Sequence, residues 1–124
     1  MIHLDTGFLI RALVPSSPQD GRLREWLRAG EPLAISTIAW AEFLCGPVTD
    51  RQLELAAALL RGRVAFVEQD AALAARLFNS SGRRRGSMVD CMIAATALRS
   101  AATLATTNVA DFQRFASAGL ELAT

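Results

Sequence analysis

A chain of 124 residues is one domain long, and at that size roughly two-thirds of the unfolded surface is buried on folding, enough for a real core. Hydrophobic residues make up 52% and charged residues 20%, with no run of about 18 apolar residues, which excludes a membrane-spanning helix. The net charge of +1 excludes a global basic field of the kind that marks many nucleic-acid binders.

The opening MIHLDTG has no basic leader and no cleavage pattern, which argues for the cytoplasm. Residues 1–4 read as a short strand. Residues 6–14 carry Phe8, Leu9, Ala12 and Leu13 at helical spacing until Pro15 stops them. Residues 20–29 form an amphipathic helix with Leu23, Trp26 and Leu27 on one face, closed by Gly30. A strand follows at 33–36, a helix at 37–45 ended by Gly46-Pro47, and another helix at 51–60. The apolar run Val64-Ala65-Phe66-Val67 predicts a buried strand. Residues 70–79 and 87–101 predict helices, 103–106 a strand, and 120–122 a last edge strand. Cys45 and Cys91 lack CxxC spacing and fall in apolar helices, so both are expected as buried free thiols. All thirteen basic residues are arginine. The one dense cluster, Arg83, Arg84 and Arg85 between two glycines, reads either as a solvated loop or as an RNA contact.

The LDTG stretch is also the core signature of small aspartic proteases, but those need an all-β chain. Strands alternating with helices predict instead an α/β fold with a parallel central sheet and helices on both faces. In such sheets ligands bind outside the carboxyl ends of the strands, near the switch in strand order. Asp5 ends the first strand. Glu42 has Ile38, Ala39, Cys45 and Gly46 as its helical neighbours, and Asp90 has Gly86, Ser87, Ile93 and Ala94. Burying a carboxylate on such faces costs several kcal/mol unless a charge or metal pairs with it, although an acid near a helix start is also stabilised by the macrodipole. In TTNVADF, Asn108 is placed to cap the backbone amide of Asp111, whose own neighbours are polar. If the four groups at 5, 42, 90 and 111 converge, they either hold protons or bind a cation, and oxygen-only ligands suit Mg²⁺ or Mn²⁺.

The ordered set LDT at Asp5, AEF at Glu42, DCMIAATAL at Asp90 and TTNVADF at Asn108 and Asp111 resembles the PIN-domain ribonucleases, and among them the VapC toxins of bacterial toxin–antitoxin pairs. The resemblance spans nearly the whole chain, residues 1–124, as a single domain. It implies a compact three-layer α/β/α sandwich, an acidic pocket holding Mg²⁺ or Mn²⁺, and endonucleolytic cleavage of single-stranded RNA regions. It carries over Asp5, Glu42 and Asp90 as the three core acids, Asp111 as the fourth, and Thr6 and Asn108 as supporting polar groups. Two positions depart from the pattern: Gly7 stands where the family commonly has Asn or Ser, and Thr107 where it often has arginine.

Metal-activated water makes a catalytic histidine unnecessary, and the only imidazole, His3, is expected as a satisfied core residue inside the first strand. There is no GxxxxGK[ST] loop and no GxSxG elbow, and position 7 is glycine where a dehalogenase-type phosphatase would want the second Asp of DxD. The competing reading is a catalytically idle PIN-like module that binds RNA or protein. The toxin resemblance also implies a cognate antitoxin, with a basic or apolar segment lying across the acidic pocket, and a homodimer. Trp40, Phe43 and Leu44 are read either as core or as surface for those contacts.

Overall fold

In the computed structural model, which describes residues 1–123, four short parallel strands form one sheet in the order β3-β2-β1-β4, flanked by helices. The elements run β1 (Ile2–Leu4), α1 (Thr6–Ala12), α2 (Pro18–Arg28), β2 (Leu33–Ser36), α3 (Thr37–Cys45), α4 (Asp50–Leu59), β3 (Gly62–Val64), α5 (Glu68–Ser80), α6 (Met88–Arg99), β4 (Thr103–Ala105) and α7 (Val109–Gln113). A 3₁₀ turn at Ala116–Ala118 follows. Among the described residues no helix is long and apolar enough to cross a membrane.

The order places the site. The chain steps outward from β1 to β2 to β3, then returns to lay β4 on the other side of β1. Strand order therefore reverses between β1 and β4, and a crevice opens outside their carboxyl ends. The register pairs His3 with Ala34 on one side and Leu104 on the other, so β1 is central and fully buried.

Local chemistry fixes the element boundaries. Ser17 caps α2 by accepting from the Asp20 amide at 3.0 Å, with Pro18 next. Ser36 accepts from the Ala39 amide at 3.1 Å and so turns β2 directly into α3. Thr49 and Gln52 exchange side-chain-to-amide bonds of 3.1 and 3.0 Å as a capping box for α4. The core gathers Leu4, Leu9, Ile35, Phe43, Ile93, Leu104, Phe112 and Phe115, with α6 buried over most of its circumference.

Several expectations need correction. The strand expected at 64–67 lies at Gly62–Val64, because β2 offers partners only as far as Ser36 and the Phe66 amide is taken by Thr37 Oγ1 at 3.1 Å. The expected strand at 120–122 is a single parallel bridge between Leu104 and Leu122. Cys91 is buried as expected, but Cys45, at the end of α3, is exposed. Phe43 is core, Trp40 is half-buried under the guanidinium of Arg63 at 4.3 Å, and Leu44 is exposed. His3 is buried, yet neither ring nitrogen has a hydrogen-bond partner, so it is not the satisfied histidine expected.

An ion pair between buried Asp70 and partly exposed Arg99, absent from the sequence reading, ties the second half together. Asp70 has no solvent exposure. Its Oδ1 accepts from Arg99 Nε at 2.6 Å and its Oδ2 from the Val67 amide at 3.0 Å. Arg99 also donates to the Ala65 carbonyl at 2.9 Å, so one guanidinium clamps the end of α6 to the start of α5 and the segment after β3.

Candidate active site

Asp5 leaves β1 and caps α1. Its backbone amide donates to the Ala105 carbonyl at 2.8 Å, which carries the β1–β4 pairing to the edge of the crevice. The carboxylate is 5% exposed, with Oδ1 accepting from the Thr6 amide at 2.8 Å and Oδ2 from the Thr106 hydroxyl at 2.8 Å. The Thr106 oxygen in turn accepts from the Asn108 amide at 2.9 Å. A relay of donors thus runs from the turn after β4 to the acid at the end of β1.

Glu42 reaches the same place from α3. Thr6 Oγ1 donates toward Glu42 Oε1 at 2.9 Å and lies 3.1 Å from the Ala39 carbonyl. One threonine therefore bonds Asp5 through its amide and Glu42 through its hydroxyl. Glu42 is nonetheless exposed, contrary to the burial inferred from its apolar neighbours. The outer surface of α3, with Ala41, Leu44 and Cys45, is uncovered within this chain, so apolar neighbours there do not make an interior.

Asp90, in the first turn of α6, is partly buried. Asp111, on α7, is half-exposed. Each has an arginine at hand: Arg114 Nη2 stands 3.8 Å from Asp90 Oδ2, and Arg84 Nη1 donates to Asp111 Oδ1 at 3.0 Å. The three nitrogens of Arg114 are shielded from solvent and lack hydrogen-bond partners, while its guanidinium lies 4.7 Å from the Phe115 ring centroid.

The carboxylates feel one another. Burial pushes the Asp5 pKa up, the two hydrogen bonds pull it down, and the nearby charge of Glu42 pushes it up again. Burial also raises Asp90, with the charges of Asp5 and Asp111 adding to the rise and those of Arg114 and Arg84 opposing it. Asp5 and Asp90, each raised in part by neighbouring acids, lie in a field that a divalent cation would relieve. Among the described residues, however, no three His, Cys, Asp or Glu side chains are drawn into a tight group. The oxygen-only donor set fits a hard ion held partly through water, as Mg²⁺ commonly is.

The expected supporting groups divide. Thr6 bonds both Asp5 and Glu42. Asn108 does not cap with its side chain; it contributes its backbone, donating to Thr106 and accepting from the Asp111 amide at 3.1 Å. With Thr106 filling the amide-accepting role, the Asn108 side chain is left outside the cap. Of the three loop arginines, only Arg84 reaches an acid. Arg83 turns toward α5, with Nη1 2.8 Å from Asn79 Oδ1 and its guanidinium 5.8 Å from the Phe78 ring centroid, and Arg85 is exposed. Thr106 and Arg114 were missed. A hydroxyl at the carboxyl end of a strand beside the switch point signals the first; nothing in the sequence signals the second, whose partner Asp90 lies on another element. The two departures from the family pattern touch: a Cβ on Gly7 would lie 2.9 Å from Thr107 Oγ1.

The PIN domain family matches residues 2–118. No curated protein sequence matches the chain significantly. Solved structures that resemble it include VapBC2 from Rickettsia felis bound to a DNA fragment from its promoter, at 24% identity and a TM-score of 0.77 over 99% of this chain and 98% of that one. FitAcB from Neisseria gonorrhoeae is 25% identical, with a TM-score of 0.74 over 100% of this chain and 97% of that one. The sarcin-ricin loop cleaving toxin VapC20 of Mycobacterium tuberculosis shares the fold at 17% identity, with a TM-score of 0.68 over 99% of this chain and 98% of that one.

Proposed function

This chain belongs to the PIN domain family, and from that premise we propose that it is a metal-dependent endoribonuclease, the toxin of a toxin–antitoxin pair. What supports the reading is that Thr6 bonds both Asp5 and Glu42, Thr106 bonds Asp5, and Asp90 lies in the fields of Asp5 and Asp111. A surface that only bound polyanions would gain nothing from four carboxylates.

Asp5, Glu42, Asp90 and Asp111 would hold Mg²⁺ or Mn²⁺, which when bound supplies a water activated near neutral pH and neutralises charge growing on the phosphoryl oxygens. The protein's own part is orientation. The Thr6 amide and Thr106 hydroxyl engage both oxygens of Asp5, so its carboxylate cannot rotate freely. Thr6 holds Glu42 by Oε1 alone, leaving Oε2 available to accept a proton from an attacking water. Such outer-shell partners commonly tune metal affinity 10–100-fold. The loop carrying Arg83, Arg84 and Arg85 supplies positive charge at the rim for the RNA strand.

The antitoxin reading draws on relatives solved as VapBC and FitAcB assemblies. A groove lies away from the acids, between α1, α2 and α4. It has a volume of about 390 Å³ and is lined by Ala12, Leu13, Leu23, Leu27, Leu55 and Leu59 among others. It suits an apolar antitoxin segment, while a basic side chain of the same antitoxin would meet the acidic crevice. The exposed apolar positions Ile10, Val14 and Leu44 offer further surface for the antitoxin or for a second copy in a homodimer.

The test is incubation of purified protein with structured and single-stranded RNA in Mg²⁺, Mn²⁺ or EDTA. Endonucleolytic products dependent on the metal support the proposal. Binding of RNA without cleavage in any metal favours the idle-module alternative.

A further inference from the structure

Four acids create a difficulty for a nuclease: they bind the metal its chemistry needs, but they repel the phosphates of its substrate. The loop between α5 and α6 bears on this. Gly82 and Gly86 take positive φ angles of 92° and 80°, and Arg83 takes 53°. These left-handed positions fold the segment back, so that the Arg83 amide reaches the Phe78 carbonyl at 3.0 Å. The Arg84 carbonyl accepts from Ser87 Oγ at 2.6 Å and from the Ser87 amide at 3.2 Å. The Arg84 backbone is therefore pinned to the start of α6, only a few residues from Asp90. Its side chain crosses the crevice rim to Asp111, 27 residues away in sequence.

The two arginines of the site differ in what they can do next. Arg114 is shielded and enclosed beside Phe115. The Arg84 side chain is 60% exposed and that of Asp111 37%, so their ion pair is of the solvated kind that contributes little net strength. A guanidinium held that weakly can be taken over by a stronger acceptor, and phosphate oxygens, offering two-pronged charge-assisted bonds, are such an acceptor.

We propose that Arg84 is an exchangeable counter-ion: it neutralises Asp111 while the crevice is empty and passes its guanidinium to a backbone phosphate when an RNA strand enters. The inference rests on the ribonuclease reading and adds to it which arginine meets the RNA and what holds it beforehand. Phosphate capture frees Asp111 for the metal, so substrate and metal binding assist each other through one side chain. It also separates Arg84 from Arg83, which is turned toward Asn79 and Phe78.

The experiment measures binding of a single-stranded oligoribonucleotide by fluorescence anisotropy in EDTA, across a salt series, for wild type, Arg84→Gln, Asp111→Asn and the double variant. Arg28→Gln, an exposed α2 arginine outside the site, serves as the charge-matched control. Arg84→Gln should weaken binding and lower the log–log salt slope by about 0.7, the value for one single-strand phosphate contact, while Arg28→Gln should not. Asp111→Asn should tighten binding, and that gain should shrink at least about threefold in the Arg84→Gln background, since a released Arg84 supplies most of it. A second readout omits RNA: thermal melts with rising Mg²⁺, in which Arg84→Gln should reach half of its metal-induced shift at a lower concentration than wild type, a competing cation having been removed. An unchanged salt slope, or an equal effect of Asp111→Asn in both backgrounds, overturns the exchange while wild-type RNA binding stands. Failure of wild type to bind RNA at any salt overturns both the exchange and the ribonuclease reading.

Discussion

Acidification should destabilise this protein through His3 well before its carboxylates are exhausted. The imidazole sits in the central strand β1, 1% exposed, with Nδ1 and Nε2 both unpartnered. Burial pushes its pKa down from 6.5 to about 4, with the positive chain terminus and Arg99 adding to the effect. A folded-state pKa below the unfolded one means that protons prefer the unfolded chain. The stability is therefore fully present above pH 6.5 and is lost as pH falls from there toward 4. Each pH unit between the two values is worth about 1.4 kcal/mol, so the full loss is about 3 kcal/mol, of which about 2 is gone by pH 5. His3→Leu removes the titrating group and both orphaned nitrogens while keeping an apolar side chain of similar bulk. Urea unfolding of wild type and variant at pH 7 and pH 5 supplies the comparison, because the titration of every other group is common to both proteins. The stability gap should widen by about 2 kcal/mol in the variant's favour on going to pH 5. A gap that stays constant within about 0.5 kcal/mol would refute the reasoning.

Thr106→Val removes a donor to Asp5 and should weaken Mg²⁺ binding roughly 10–100-fold, read from the metal dependence of the melting temperature; an unaltered dependence would sever Thr106 from the site. Thr6→Val should weaken it on the same scale by releasing Glu42, with circular dichroism to verify that α1 remains folded. Asp70→Asn breaks the pair between buried Asp70 and partly exposed Arg99 and should lower the melting temperature by roughly 5 °C, beyond the effect of removing the exposed Arg22–Glu25 pair. Gly7→Ala and Thr107→Ala should be non-additive in urea unfolding, with a coupling of about 0.5 kcal/mol or more, since the added methyl meets the Thr107 hydroxyl.

Much of the architecture was legible because each β/α unit carries its own punctuation: Pro15, Gly30, Gly46-Pro47 and the serine and threonine caps stand where the chain turns. The third strand was misplaced because Val64-Ala65-Phe66-Val67 is the more apolar run. Register against β2 and the capture of the Phe66 amide by Thr37 are tertiary effects that hydrophobicity does not encode. The acid at 5 could be located from its place at a strand end. The exposure of Glu42 could not, because helical periodicity says which residues share a face but not whether the domain covers that face. Arg84, Arg114 and Asp70 show the same gap: their partners lie far away in sequence or on another element, and only the folded chain brings them together.

The most direct measurement of the central claim pairs RNA cleavage with thermal melts for wild type and Asp5→Asn at increasing Mg²⁺ or Mn²⁺. The ionised Asp5 carboxylate is disfavoured by burial and by Glu42, so the amide should leave the metal-free melting temperature unchanged or higher. Wild type should cleave single-stranded RNA only with metal and melt higher as metal is added, because a ion bound only to the folded state stabilises it by mass action. The variant should lose cleavage and most of that metal-dependent shift. Cleavage at the wild-type rate by Asp5→Asn, with the same metal-dependent shift, would contradict the account at its anchor.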